Sequence, residues 1–378
     1  MKIAIIGGGI GGLALANCFQ KFNIPYTLYE KADSFGEVGA GIGISESTFS
    51  ILENLGMGER IKQKGNFVKD VFIANKKAGL IRKLPVTNGG FCIHRADLID
   101  ILSENMIKDR VKFGVEVTGF ESSVDLINLH FKNGQSQTYN YVFACDGINS
   151  VFRQQLFPEI KKRYSGQTVW RGISTCQVSD FYRKGYVEFW GENLRFATIP
   201  LNNNNLYYWY ACKVAEEGEQ DDKIHIKEDL KTLFRDYNED IKTVINNTSQ
   251  ILRNDMWDIK PHNKSWHKDH VIFLGDAIHA TTPNLAQGAC QAIEDAYTIA
   301  MLISKMGFSD TTFDEYRNLR IQKVNYIVKQ SRKYGKMSHQ RNKLLEIIIQ
   351  NLIRFLPDRV FQNQYDKLID IDYLQLRL

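Results

Sequence analysis

Three glycines, Gly7, Gly9 and Gly12, follow directly on an apolar run at residues 2–6 (KIAII). Gly7 permits a tight turn. Gly9 has no side chain to keep a pyrophosphate away from the backbone, and Gly12 lets the next helix pack closely on a sheet. The helix expected over residues 11–22 then points its first N–H groups at the phosphates. Glu30 stands at the end of a second apolar run, residues 26–30, where a carboxylate can bind ribose hydroxyls. A carboxylate there argues for FAD or NAD and against a 2′-phosphate.

Two further stretches carry chemistry. CDGINSVFR at 145–153 places Asp146 and Gly147 at the end of the apolar run 141–144, with Ser150 and Arg153 following on a turn into a helix. Open α/β sheets place ligands at that strand end. GDAIHATTPNLAQGACQAIED at 275–295 repeats the pattern: strand 271–274, then Asp276, then Pro283 to stiffen a turn. Gly288 and Ala289 open a long helix to about Met306, whose N-terminus can stabilise negative charge. Glu294 and Asp295 lie in its early turns, where the helix dipole tolerates acids. In this order and spacing, the three stretches indicate FAD held as a prosthetic group. A glycine-rich loop at 36–43 reads either as backbone passing the flavin or as a surface loop. FCIHRADLIDIL at 91–102 puts Arg95 at a helix start, as a pyrophosphate neutraliser or a plain exposed terminus.

The elements that must position these residues are legible in outline. Residues 111–119 read as a strand. Residues 127–131 and 137–143 flank Asn133-Gly134, a hairpin signal. Residues 168–174, 186–190, 195–199 and 206–212 read as strands, with a polar turn at 202–205. In the last strand Tyr208 and Tyr210 share one face and Tyr207 and Trp209 the other. One face either lines a flat apolar pocket or packs on a helix. Arg171, Arg195, Tyr208, Tyr210 and His279 are the substrate-side candidates, His279 reading equally as part of the motif turn. Helices are expected from Thr312 to about Lys336 and over 340–355. The second is very apolar with basic flanks, and reads as a lid, a membrane-surface contact, or a helix packed on its neighbours.

With 378 residues, 48 basic and 43 acidic side chains and a net charge of +5, the chain has ample core and no case for nucleic-acid binding. The six cysteines are scattered without a CxxC pair, so neither zinc nor a disulfide framework is indicated. No metal site is expected. No signal peptide and no spanning helix are read, and a cytoplasmic location is expected.

These motifs, over residue 1 to about Gly335, resemble the single-component FAD-dependent aromatic hydroxylases, the group A flavoprotein monooxygenases. YSGQTVWRG at 164–172 and TTPNLAQGACQAIEDA at 281–296 are similar to the salicylate and urate hydroxylase and zeaxanthin epoxidase branch. The resemblance implies an α/β fold: a Rossmann-like FAD-binding domain of glutathione-reductase type (1–165 and 260–310), an inserted antiparallel-sheet substrate domain (166–259) and C-terminal helices (311–378). It implies that Gly7, Gly9, Gly12, Glu30 and Lys31 hold the ADP half and that Arg95 contacts the pyrophosphate and ribityl region. Val117 would set its backbone against the adenine, and Asp146 and Gly147 would belong to a dual FAD and NAD(P)H fingerprint. Asp276 would bind the ribityl or pyrophosphate, while Pro283, Gly288 and Ala289 would border the ring. Where the family usually carries Gly before the Gln-Gly pair, this chain has Ala286.

The implied activity is monooxygenation. NADPH or NADH reduces FAD, and O2 forms a flavin C4a-hydroperoxide that hydroxylates or epoxidises an aromatic or polyketide-like small molecule. A flavin-dependent reductase or dehydrogenase on the same fold, and a flavin-bearing sequestering protein, are the alternatives. A halogenase would carry a WxWxIP stretch, which residues 190–200 do not spell. Urate-type members offer an arginine on the last sheet strand, and 206–212 contains none. Monomer and homodimer both remain open.

Overall fold

The structure, a computed structural model, describes residues 1–36, 40–183, 185–201, 205–340 and 342–374. Two sheets organise it. The first has six strands in the order His267–Lys268, Val271–Phe273, Tyr141–Ala144, Ile3–Ile6, Thr27–Tyr29 and Val111–Lys112. Its pairings are parallel except at the His267–Lys268 edge. Ile3–Ile6, Tyr141–Ala144 and Val271–Phe273 are almost wholly apolar because helices cover both faces of a parallel sheet. Helices Ile10–Lys21 and Gly288–Met306 pack on each other across Leu13, Ala14, Ile293 and Ala296, all of them buried.

The second sheet has eight strands: Thr248–Ile259, Lys162–Thr175, Leu206–Val214, Leu194–Pro200, Tyr186–Gly191, Asn66–Asn75, Leu80–His94 and Gly41–Ser45. It is antiparallel throughout except where Tyr186–Gly191 runs parallel to Asn66–Asn75. It therefore draws strands from well upstream of the expected segment 166–259. The amphipathic helices Ile226–Leu233 and Glu239–Asn246 cover one face. Tyr207 and Trp209 point into that face, and Trp209 stacks on Phe196 at 5.3 Å. Tyr208 and Tyr210 point to the other face. The helix-packed reading therefore holds for the Tyr207 and Trp209 face.

Two expected strands divide. Residues 111–119 split into Val111–Lys112, in the parallel sheet, and Val117–Ser122, in a separate three-stranded sheet, with Gly114 at φ +67° between them. Residues 137–143 break at Asn140. Ser136–Tyr139 closes the Asn133-Gly134 hairpin, while Tyr141–Ala144 joins the parallel sheet. Apolar alternation carries through both breaks, so periodicity alone merges them. The glycine-rich loop at 36–43 and the polar turn at 202–205 fall partly outside the described residues. Downstream, Asp310–Met337 and Lys343–Phe355 form as expected, and a further helix, Asp358–Ile369, folds back toward Leu80–His94.

Candidate functional site

The first loop is built for a close approach. Gly7 has φ +104°, and a Cβ there would stand 2.5 Å from the carbonyl oxygen of Cys145. A Cβ on Gly12 would stand 1.9 Å from the Gly7 oxygen. Gly9 is different: nothing lies within 4 Å of where its Cβ would be. It begins the helix Ile10–Lys21 without a side-chain cap, so that helix's first N–H groups are not taken by Gly9. The glycines at 7 and 12 thus fold the loop, and the one at 9 faces open space. The Glu30 carboxylate accepts from Gly8 N at 2.7 Å and Ala32 N at 2.8 Å, which holds it over the loop. Lys31 is exposed beside it, and Val117 is buried at the start of its strand.

The second loop touches the first through Cys145 and the third through Arg153. Ser150 caps the helix Val151–Leu156, and Asp146 Oδ2 accepts from Val151 N at 2.9 Å. Asp146 Oδ1 is buried without a hydrogen-bond partner. Burial pushes the Asp146 carboxyl up, against the pull of Ser150 and the Val151 amide. Arg153 lies inside the helix rather than on the turn. It is buried and donates to the carbonyls of Ala277 (2.7 Å), Ile160 and Ile148, so it clamps the third loop in place.

In that third loop Asp276 is open to the cleft but ringed by protein elsewhere. Desolvation raises its carboxyl, opposed by His279, Arg95 and Arg153. Arg95 starts the helix Arg95–Ser103 as expected. Desolvation and Arg171 lower it, while Asp276 and Tyr208 oppose them. Arg171, Tyr208 and Asp276 are thus all within electrostatic reach of Arg95. Gly41, at the end of the loop outside the described residues, lies against this group: a Cβ there would meet the Tyr208 ring at 2.5 Å. Pro283 opens the short turn Pro283–Leu285, and Ala286 follows in the left-handed region at φ +52°. Glycine adopts this conformation without the Cβ penalty. Gly288 and Ala289 begin the helix Gly288–Met306, which has no side-chain cap.

Besides lying in the early turns of that helix, Glu294 and Asp295 are both buried against a cationic partner. Fully buried Arg320 donates through Nε to Asp295 at 2.8 Å, and also bonds Glu294 and Gln291. Lys323 and Tyr373 complete Glu294, each at 2.8 Å. Asp295 Oδ2 in turn accepts from Gly275 N at 2.9 Å and His279 Nε2 at 2.6 Å. His279 is thus a positioning residue of the third loop. The signal in the sequence was two adjacent acids inside an otherwise apolar helix, which implies buried partners; nothing local says that Arg320 supplies them.

The second sheet hides another polar knot. Buried Glu188 accepts from Trp190 Nε1 and Tyr210 OH at 2.6 Å, Tyr334 OH at 3.0 Å, and Tyr186 OH. Arg195 Nη1 lies 3.4 Å away, and its Nη2 donates to Asn284 Oδ1 in the flavin-side turn. Burial alone would raise Glu188, but Arg195 and these donors hold it below the usual carboxylate range. The five substrate-side candidates therefore separate. Tyr208 and Arg171, which donates to Asn254 Oδ1 at 2.6 Å, are within electrostatic reach of Arg95. Tyr210, Arg195 and His279 are engaged in buried bonds.

The residues present fit FAD. The open approach at Gly9, the unpartnered Asp146 Oδ1 and the uncapped start of Gly288–Met306 belong to three loops that touch one another at the carboxyl edge of the parallel sheet. Comparison with known proteins agrees. A family model described as FAD binding domain matches residues 1–331. The chain is 31% identical over 371 residues to an aurachin C monooxygenase/isomerase of Stigmatella aurantiaca, covering 95% of this chain and 96% of that one. It is 27% identical over 369 residues to a 2-heptyl-3-hydroxy-4(1H)-quinolone synthase of Pseudomonas aeruginosa, covering 95% of each. Among solved structures, Klebsiella pneumoniae HpxO complexed with FAD and uric acid has the same fold, with a TM-score of 0.87 at 23% identity over 98% of this chain and 97% of that one.

Proposed function

We propose, for a chain that belongs to the FAD binding domain family and its FAD-dependent aromatic hydroxylase group, that it is an NAD(P)H-dependent monooxygenase. Its substrate is a flat, electron-rich ring carrying an apolar substituent, of the alkylquinolone kind. The observation that carries this is that Tyr208 of the second sheet packs on Gly41, while Arg95 is within electrostatic reach of Tyr208, of Arg171 and of Asp276 in the third loop. The substrate class is supported by the relative named a 2-heptyl-3-hydroxy-4(1H)-quinolone synthase, matched over nearly its full length. The lack of an arginine in Leu206–Val214 weighs against urate.

Bound FAD, reduced by NAD(P)H, supplies the oxygen-transfer chemistry with O2. The chain's own groups bind, orient and exclude water. Glu30 and the Gly7–Gly9 backbone hold the adenosine and pyrophosphate end. Asp276 and Arg95 hold the ribityl region. The first N–H groups of Gly288–Met306 stabilise negative charge on the reduced ring. Tyr208 provides an apolar wall for the substrate ring, and Arg171 a cation for its oxygen substituent. The buried Arg195–Asn284 bond ties the sheet to the turn at Pro283–Leu285, which holds wall and cofactor loop in register.

The test is anaerobic stopped-flow reduction by NADPH and NADH with a panel of phenols, quinolones and polyketides, followed by admission of O2 and mass analysis. One compound should accelerate reduction and gain one oxygen atom. If every compound leaves reduction unchanged and O2 returns only as peroxide, the reductase reading replaces this one.

A further inference from the structure

The helix Lys343–Phe355 is held firmly by one face only. Ile353 is buried and Ile349 half-buried against Ile73, Ile81 and Trp190 of the second sheet. Arg82 donates to the carbonyls of Ile353 (2.9 Å), Arg354 (3.1 Å) and Leu356 and pairs with Asp358, so the C-terminal end of the helix is pinned. The opposite face is apolar and bare. Leu344 is 71% exposed, Ile348 60%, Leu352 57% and Phe355 77%, with Leu345 and Ile347 beside them. These positions recur at helical spacing along about 20 Å of helix. Bare apolar faces of this extent on folded proteins mark interaction surfaces.

We propose that this face docks on the surface of an anionic lipid bilayer. Lys343 stands at the start of the apolar stripe, and Arg354 and Arg359 at its end; all three are exposed and make no ion pair among the described residues. Their long stems let the charges reach lipid phosphates while the stripe enters the acyl boundary. Of the nearby acids, Asp358 is taken by Arg82, and Glu346, half-buried and bonded to Gln350 with Glu192 near it, is within electrostatic reach of Lys343, which leaves the net positive charge chiefly to Arg354 and Arg359. A second copy suits the face less well. Two such stripes crossing antiparallel about a two-fold would set Lys343 of each against Arg354 of the other. Among the described residues no helix is long and apolar enough to cross a membrane, so this one lies in the interface. The surface stands whichever substrate the site takes, although it would serve a lipophilic one by drawing it from the bilayer.

The test is co-sedimentation of the FAD-loaded protein with phosphatidylglycerol/phosphatidylcholine vesicles against phosphatidylcholine alone. The native protein should partition to the anionic vesicles, and added salt should weaken it. The triple variant Ile348→Gln, Leu352→Gln, Phe355→Gln should lose about fivefold per side chain, about a hundredfold in all. Arg354→Gln with Arg359→Gln should lose only the anionic preference. All substituted side chains are exposed, so unchanged thermal unfolding controls for fold. Equal sedimentation of native and triple variant, or none by the native protein, overturns the proposal. So does a native dimer in light scattering that the triple variant converts to monomer, which would make the face a subunit interface.

Discussion

Replacing Gly9 by Ala separates the folding role of the first loop from its binding role. At φ −73° and ψ −174°, Gly9 occupies backbone that alanine adopts freely, and its new methyl would meet no atom within 4 Å. The deflavinated variant should therefore be as stable as the native chain or gain up to about 1 kcal/mol from lost unfolded-state freedom. In the proposed site the methyl would instead stand in the open space at the helix N-terminus that a pyrophosphate would occupy. Losing a single charge-assisted N–H bond there costs about 2 kcal/mol, roughly thirtyfold in Kd. Gly12→Ala should do the reverse of this in the apo protein. Its Cβ falls 1.9 Å from the Gly7 oxygen, so backbone must move. A cost of about 3 kcal/mol is expected, lowering Tm by about 4 °C at about 2.1 cal/mol/K per residue over 378 residues. Thermal unfolding of both deflavinated variants, and FAD titration followed by flavin fluorescence, give the two quantities. Gly9→Ala binding FAD within threefold of the native protein would refute the placement of the pyrophosphate. Gly9→Ala unfolding as early as Gly12→Ala would refute the division of roles.

Ala286→Gly should stabilise the chain by about 0.5–1 kcal/mol in urea denaturation. Removing the Cβ from the left-handed position recovers about 1–2 kcal/mol, and glycine's unfolded freedom takes back about half. Arg320→Met should cost about 3–5 kcal/mol by leaving Asp295 buried without its cation, and it should also speed FAD loss because Asp295 holds Gly275 and His279. Thermal unfolding and the rate of flavin release read both effects; a loss under about 1 kcal/mol would show that Asp295 does not depend on Arg320. His339 is buried, bonded through Nδ1 to Gly335 O at 2.8 Å, and pushed down to about 4 by desolvation and then Arg195. Below 6.5 the unfolded chain takes up this proton while the folded chain resists it, so stability should fall as pH drops from about 6.5 toward 4 and be fully present above. His339→Gln should flatten that part of the pH–Tm profile relative to the native protein.

The cofactor half of the site was legible because its parts are local. A glycine at 7, 9 or 12 does its work within a single turn, and the strand before it and the helix after it are written in the same twenty residues. Asp146 and Asp276 are legible as candidates for the same reason, since each follows a short apolar run at a sheet's carboxyl edge. Arg95 was placed at its helix start by the apolar pattern behind it, although its company of Arg171, Tyr208 and Asp276 was not. Merged strands at 111–119 and 137–143 show where periodicity fails: side-chain alternation continues across a chain that changes sheets.

The sequence by itself determined the fold class, the FAD loops and the alternation that puts Tyr208 and Trp209 on opposite faces. Those follow from backbone geometry over a few neighbouring residues. Tertiary structure alone decided which charges meet. Asp295 finds Arg320 twenty-five positions away and Arg195 finds Asn284 eighty-nine away. Only there do Tyr210 and Arg195 turn out to be spent on Glu188, and only there does the outer face of Lys343–Phe355 remain uncovered. A buried charge is stable only with a partner brought by the fold, and no spacing rule along the chain specifies a partner that distant.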